Sequence, residues 1–133
     1  MSESTLAPAH AAADALRGLL DGRVFLPGDP GYDAARTPWN VAVDQRPAAV
    51  AVPTSTDEVV EIVQAAAAAG LRVVPQSTGH NAGPLAGRTG DAVLLRLSDF
   101  TGVTIDPQRR VARIVGGTLW QQVAEAAAAH GLA

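Results

Sequence analysis

The chain has no cysteine and no lysine, no basic stripe, and no apolar run of the roughly 20 residues that a bilayer-spanning helix requires. Without cysteine there can be no disulfide framework, zinc–thiolate site or cysteine nucleophile. All ten basic residues are arginine, scattered apart from Arg109, Arg110 and Arg113, and the net charge is −3. That distribution argues against nucleic acid as the main partner, and nothing argues for a membrane. Met1-Ser2-Glu3-Ser4-Thr5 lacks the basic start of a signal peptide, and Pro8, His10 and Asp14 interrupt any apolar core that could follow. A soluble cytoplasmic protein is the default expectation. There is no internal repeat, and neither His10 nor His130 has a metal-site partner at useful spacing. A length of 133 residues suits one domain, which would bury about two thirds of its unfolded surface.

The most informative stretch is Pro75-Gln76-Ser77-Thr78-Gly79-His80-Asn81-Ala82-Gly83, a small-residue loop holding one histidine. It follows Leu71-Arg72-Val73-Val74, a short β-branched run that reads as a strand. Ligands of open α/β sheets bind at the carboxyl ends of strands, where small side chains let successive N–H groups approach an anion.

A strand–helix–strand unit leads into this loop. Ala48–Pro53 predicts a short buried strand, with 50–53 as its ladder, and Ser55 with Glu58 forms a capping box opening a helix over 56–69. Asp57, Glu58 and Glu61 oppose the helix dipole, Val59, Ile62 and Val63 share an apolar face, and Gly70 stops the helix. A strand over 71–75 completes a right-handed parallel βαβ unit. Residues 92–97 predict a third strand, and the segment 76–91 is too rich in Gly and Pro for a helix. The G-x-G-x-x-G turn and following helix of the usual dinucleotide fold are therefore missing.

Elsewhere, residues 5–20 suggest a helix packed on the outside, with Leu16, Leu19 and Leu20. An irregular arm follows, to be held by Phe25, Tyr32 and Trp39. Residues 103–106 and 110–115 predict an antiparallel hairpin. After Gly116-Gly117 comes a helix expected to turn Leu119, Trp120, Val123 and Ala127 inward. It stops near Gly131, so the chain reads as a fragment of a longer protein. Trp39 and Trp120 are expected in the core, Asp99 in a turn, and Gly116-Gly117 either in a tight turn or against a ligand.

These residues resemble the N-terminal part of the FAD-linked oxidoreductases of the vanillyl-alcohol oxidase and berberine-bridge-enzyme type. The resemblance is carried by Pro27-Gly28-Asp29 with Tyr32 and Arg36, Trp39-Asn40, Arg46-Pro47-Ala48, Val52-Pro53-Thr54-Ser55, Thr78-Gly79-His80, Val115-Gly116-Gly117 and His130-Gly131-Leu132-Ala133. It implies an α+β chain with a PCMH-type FAD-binding fold. An arm over 1–37 would precede a parallel βαβ subdomain over 38–98, and residues 99–133 would begin a mixed, antiparallel subdomain, truncated at the C-terminus.

In that family the loop wraps the FAD pyrophosphate, which makes Pro75, Gln76, Ser77, Thr78, Gly79, His80, Asn81 and Gly83 the candidate cofactor-binding residues. Ser77, Thr78 and Asn81 can add side-chain donors, and Gly79 and Gly83 can adopt positive φ. Many members link the flavin 8α carbon to the histidine here numbered 80. Proton loss from the 8α-methyl group makes that carbon electrophilic, and an imidazole nitrogen can add to it. Two departures stand out: Thr78 replaces a glycine, and Gln76 stands where a basic residue is frequent. The full enzyme would move a hydride from an alcohol, sugar or similar CH–X carbon to FAD and pass electrons to an acceptor. The substrate domain and catalytic base would lie beyond Ala133. The alternatives are a non-catalytic FAD or dinucleotide-binding module and a cofactor-free α/β interaction domain.

Overall fold

The protein is described by a computed structural model covering residues 3–133, with side chains from residue 7 onward; Met1 and Ser2, the first residues of the expected arm, lie outside the described residues. No described helix is long and apolar enough to cross a membrane.

The predicted βαβ unit forms nearly as expected, with β2 at Ala49–Ala51, α3 at Thr56–Ala68 and β3 at Arg72–Gln76. Ser55 caps α3, its side chain accepting from the Glu58 N–H. The third predicted strand, β4 at Ala92–Arg96, inserts between them, so β2 and β3 run parallel but each pairs with β4 rather than with the other. Composition explains the order. Ala92 to Leu95 are buried without interruption, as a strand covered on both faces requires. The strand before the loop is, by contrast, an edge strand: Arg72 and Pro75 are exposed, and Val73 and Val74 half-buried.

A two-residue strand the pattern did not predict, β1 at Val24–Phe25, pairs antiparallel with β2, giving the order β1-β2-β4-β3. The arm expected over 1–37 thus contributes to the sheet. Its first helix, α1, spans Glu3–Ala13 instead of reaching residue 20. Tight 3-10 turns over Asp14–Leu16 and Leu19–Gly22 follow, separated by Gly18 at φ +85°. The early stop lets Leu16 and Leu20 turn inward, where both are buried, correcting the expectation of an outer helix. They join Ile62 and Ala66 of α3 against Ala49, Ala51, Val93 and Leu95 on one face of the sheet. On the other face, Val50 and Leu94 pack on Tyr32, which opens the short helix α2 (Tyr32–Arg36). The Tyr32 hydroxyl donates to the Pro47 carbonyl at 2.6 Å. Burial pushes this phenol up to about 12.

Beyond the sheet, β5 (Val103–Asp106) and β6 (Val111–Ile114) form the predicted antiparallel hairpin, and α4 covers Trp120–Ala128. Val123 and Ala127 are buried as expected, but Leu119 is half exposed and Trp120 is 74% exposed. Neither reaches the core: Trp120 lines a surface pocket with Ile105, Val111 and Ala112 of the hairpin, and Leu119 borders a separate cleft. Residues 115–118 clasp the segment that follows β4. Val115 N–H donates to the Gly102 carbonyl at 2.9 Å and Gly117 N–H to the Phe100 carbonyl at 3.0 Å. Thr118 Oγ1 accepts from Gly102 N–H at 3.0 Å and donates to its carbonyl at 3.1 Å.

Candidate functional site

The loop begins where β3 turns its last side chain inward. Gln76 is buried and makes a reciprocal amide pair with Gln45, Gln45 Nε2 donating to Gln76 Oε1 at 2.9 Å and Gln76 Nε2 to Gln45 Oε1 at 3.2 Å. It anchors the loop from beneath. Pro75 sits in the ladder opposite Leu95. From Ser77 the chain leaves the sheet, and the N–H groups of Ser77, Thr78, Gly79, His80 and Asn81 donate to no backbone carbonyl among the described residues. Ser77, Thr78 and Gly79 are half-buried and His80 and Asn81 exposed, so these donors are open to an acceptor from a ligand or solvent.

Gly79 has φ +81°, and a Cβ built there would lie 2.6 Å from Pro38 Cβ. The glycine is needed so that residues 37–39 can seat under the loop, where Trp39 N–H donates to the Thr78 carbonyl at 2.8 Å. Gly83 departs from expectation: its φ is not positive, and it opens a 3-10 turn, Gly83–Leu85, in which Pro84 presets the backbone.

His80 is exposed on the loop. Thr78 Oγ1 lies 2.6 Å from its Nδ1, and the Trp39 ring stacks on the imidazole with centroids 4.0 Å apart and planes 13° from parallel. Trp39, expected in the core, is 66% exposed and belongs to the site instead. Its flat ring cannot enter the small-residue interior between Pro38 and the loop, and the imidazole offers it a stacking partner.

Pro75 to Ala82 and Leu85 line a shallow depression of about 270 Å³, which leaves out Gly83. Ser77 and Thr78 also border a larger cleft of about 520 Å³. Pro38 and Trp39 form one wall of that cleft, Arg96, Ser98 and Thr101 another, and Gly117, Leu119 and Gln122 close it from the hairpin side. The volume lies in the range of small-molecule sites. Gly117 is buried so closely against Leu97 that a Cβ there would sit 1.6 Å from the Leu97 carbonyl oxygen, which gives the glycine a structural cause.

Arg96, Ser98 and Thr101 were not among the residues singled out, yet a signal existed. Arg96 closes a parallel strand and pairs in register with Gln76, so the rule that points to the carboxyl end of β3 points equally to β4. Arg96 Nη1 donates to the Thr37 carbonyl at 2.8 Å and to Gln76 Oε1 at 3.3 Å. Burial lowers the pKa of this guanidinium from its ordinary value, with Asp99 acting in the opposite direction. Among the described residues no group of three His, Cys, Asp or Glu side chains could hold a metal ion. Unengaged N–H groups, hydroxyls of Ser77, Thr78, Ser98 and Thr101, and one guanidinium suit a phosphorylated ligand such as a dinucleotide.

Comparison with known proteins narrows that class. Residues 47–133 match the model of a family described as FAD binding domain. The (R)-6-hydroxynicotine oxidase of Paenarthrobacter nicotinovorans is 36% identical over 115 residues, 86% of this chain and 25% of that protein. The crystal structure of 6-hydroxy-D-nicotine oxidase from Arthrobacter nicotinovorans aligns with a TM-score of 0.68 at 33% identity, covering 81% of this chain and 24% of that one. A glucooligosaccharide oxidase from Acremonium strictum, described with a 6-S-cysteinyl, 8α-N1-histidyl FAD, aligns with a TM-score of 0.63 at 28% identity over 94% of this chain and 24% of its own. The chain spans about a quarter of the length of these relatives.

Proposed function

Since this chain belongs to the FAD binding domain family, among the berberine-bridge-enzyme-like FAD oxidoreductases, we propose that it holds the flavin of an oxidase that takes a hydride from an alcohol or sugar-like substrate. The cofactor supplies the hydride acceptor; the share of these residues is to bind and orient it. The observation that carries the reading is the run of unengaged N–H groups from Ser77 to Asn81 at the carboxyl end of β3. This run cradles the cofactor's diphosphate, with the hydroxyls of Ser77 and Thr78 at its edge.

In this proposal His80 is the covalent tether. Thr78 Oγ1 engages Nδ1, which leaves Nε2 without a protein partner among the described residues. The Trp39 stack fixes the plane of the ring. The 8α-N1-histidyl FAD described for the glucooligosaccharide oxidase supports a histidine tether as such.

The test is an absorbance spectrum of the purified protein before and after acid precipitation. A flavin spectrum that stays with the pellet in the wild type, and moves to the supernatant in His80→Ala, is the expected result. Equal covalent flavin in both proteins removes the tether, and a folded protein that retains no flavin at all removes the reading.

A further inference from the structure

We propose that Arg96 supplies the positive charge that neutralises the cofactor's diphosphate, an assignment that rests on the reading of this cleft as the FAD site. The loop offers neutral donors: from Pro75 to Gly83 it contains no lysine or arginine. The protein as a whole carries net charge −3, so its general field does not favour an anion. Arg96 is the one guanidinium lining the cleft, opposite Ser77 and Thr78.

Its own bonding leaves it available. The ion pairs among the described residues use Arg17, Arg23, Arg36, Arg46 and Arg72, but not Arg96. Only Nη1 is engaged, by the Thr37 carbonyl and Gln76 Oε1, both neutral. Those two contacts aim the guanidinium without cancelling its charge, and Nε and Nη2 keep their donors. Asp99 acts on it through space without coming within ion-pair distance. A partly desolvated cation with unspent donors costs free energy until an anion arrives, and a planar fork matches phosphate oxygens better than a point charge does.

The structure also explains why the charge sits here. Gln76 and Arg96 are register partners on adjacent strands, and the inward Gln76 amide braces the Arg96 side chain from below. The cation thus sits on the rigid central strand, beside the loop instead of within it.

The experiment measures reversible flavin binding in a His80→Ala background, where no tether can form. Dissociation constants for FAD and for riboflavin, which lacks phosphate, are compared in that background and after adding Arg96→Gln or Arg96→Lys. Loss of one charge-assisted contact should weaken FAD about tenfold or more in Arg96→Gln while riboflavin changes less than about twofold. Arg96→Lys should recover part of the loss. Inorganic pyrophosphate should compete with FAD when Arg96 is present and lose most of that competition in Arg96→Gln. Equal weakening of FAD and riboflavin would mean that Arg96 only supports the fold, and unchanged FAD binding would mean that it does neither. Should the Gln variant not fold, pyrophosphate that fails to displace FAD from the Arg96 protein overturns the assignment by itself. If the His80→Ala protein binds neither flavin, the FAD reading fails first; flavin binding that ignores residue 96 sinks only Arg96.

Discussion

At Gly79 two constraints meet, a left-handed backbone and a neighbour where a methyl group would have to go. Gly79→Ala should therefore cost about 1–2 kcal/mol for the positive φ alone, with the Pro38 clash in addition. It should also displace Trp39 from the loop, so that FAD affinity falls along with the denaturation midpoint. A variant with an unchanged midpoint and unchanged FAD binding would show that the seat of Pro38 under the loop is not needed. The Thr-Gly-His motif was legible because a turn residue, a small residue and a histidine after a strand declare themselves locally. The Trp39–His80 stack was not, since its partners are forty-one residues apart and only the folded arm brings them together. Gln76 is the instructive departure. Read as a ligand contact, it lines the loop depression and also serves as a buried brace on Gln45, and the cation absent from its position stands on its register partner Arg96.

At the scale of elements, α3 shows what capping can and cannot reveal. Ser55 and Glu58 marked the start of the helix correctly, but the Glu58 carboxylate does not return to the Ser55 N–H as a reciprocal capping box requires. It accepts from Thr54 N–H at 2.6 Å and takes a two-pronged contact from Arg23, whose Nη1 also donates to the Val52 carbonyl at 2.7 Å. One carboxylate thereby ties the start of β1, the end of β2 and the first turn of α3. The Arg23 contact, with the Thr54 bonds behind it, holds the Glu58 pKa down at about 2, against an ordinary value of 4.5. Because the folded state favours the ionised form, this contribution is complete above about pH 4.5 and is lost as pH falls towards 2. Glu58→Gln should lower the denaturation midpoint at pH 7 and flatten its pH dependence between those limits. Midpoints at pH 7, 4.5 and 2.5 check this; parallel curves for the two proteins would contradict it. Strand order was the part of the sheet that local pattern did not reveal. The unbroken burial of β4 shows in hindsight why the most apolar strand takes the centre.

For the whole molecule, the proposed FAD site depends on how the hairpin and α4 are held against the main sheet, because the cleft has walls from both. Ser77, Thr78, Arg96 and Ser98 come from one side and Gly117, Leu119 and Gln122 from the other. The two sheets share no ladder, so the clasp between residues 97–102 and 115–118 sets their separation. Its tightest point is Gly117, whose missing side chain admits the Leu97 carbonyl. The sequence left Gly116-Gly117 open between turn and ligand contact. The structure gives Gly117 a packing role that borders the cleft, a distinction that needs the position of a carbonyl twenty residues away. Gly117→Ala cannot keep this approach and must move the hairpin outward. FAD binding should then fall by at least about tenfold, as expected when several bound groups lose their geometry together. Amide exchange should quicken across 103–128 while β2 and β4 stay protected, since their core of Ile62, Val93 and Leu94 is packed by α3 and Tyr32 and includes only Leu97 of the clasp, at its margin. Protection lost equally in both regions would instead mean that sheet and hairpin unfold as one cooperative unit. Unchanged exchange with unchanged FAD binding would mean that the clasp does not set the width of the cleft.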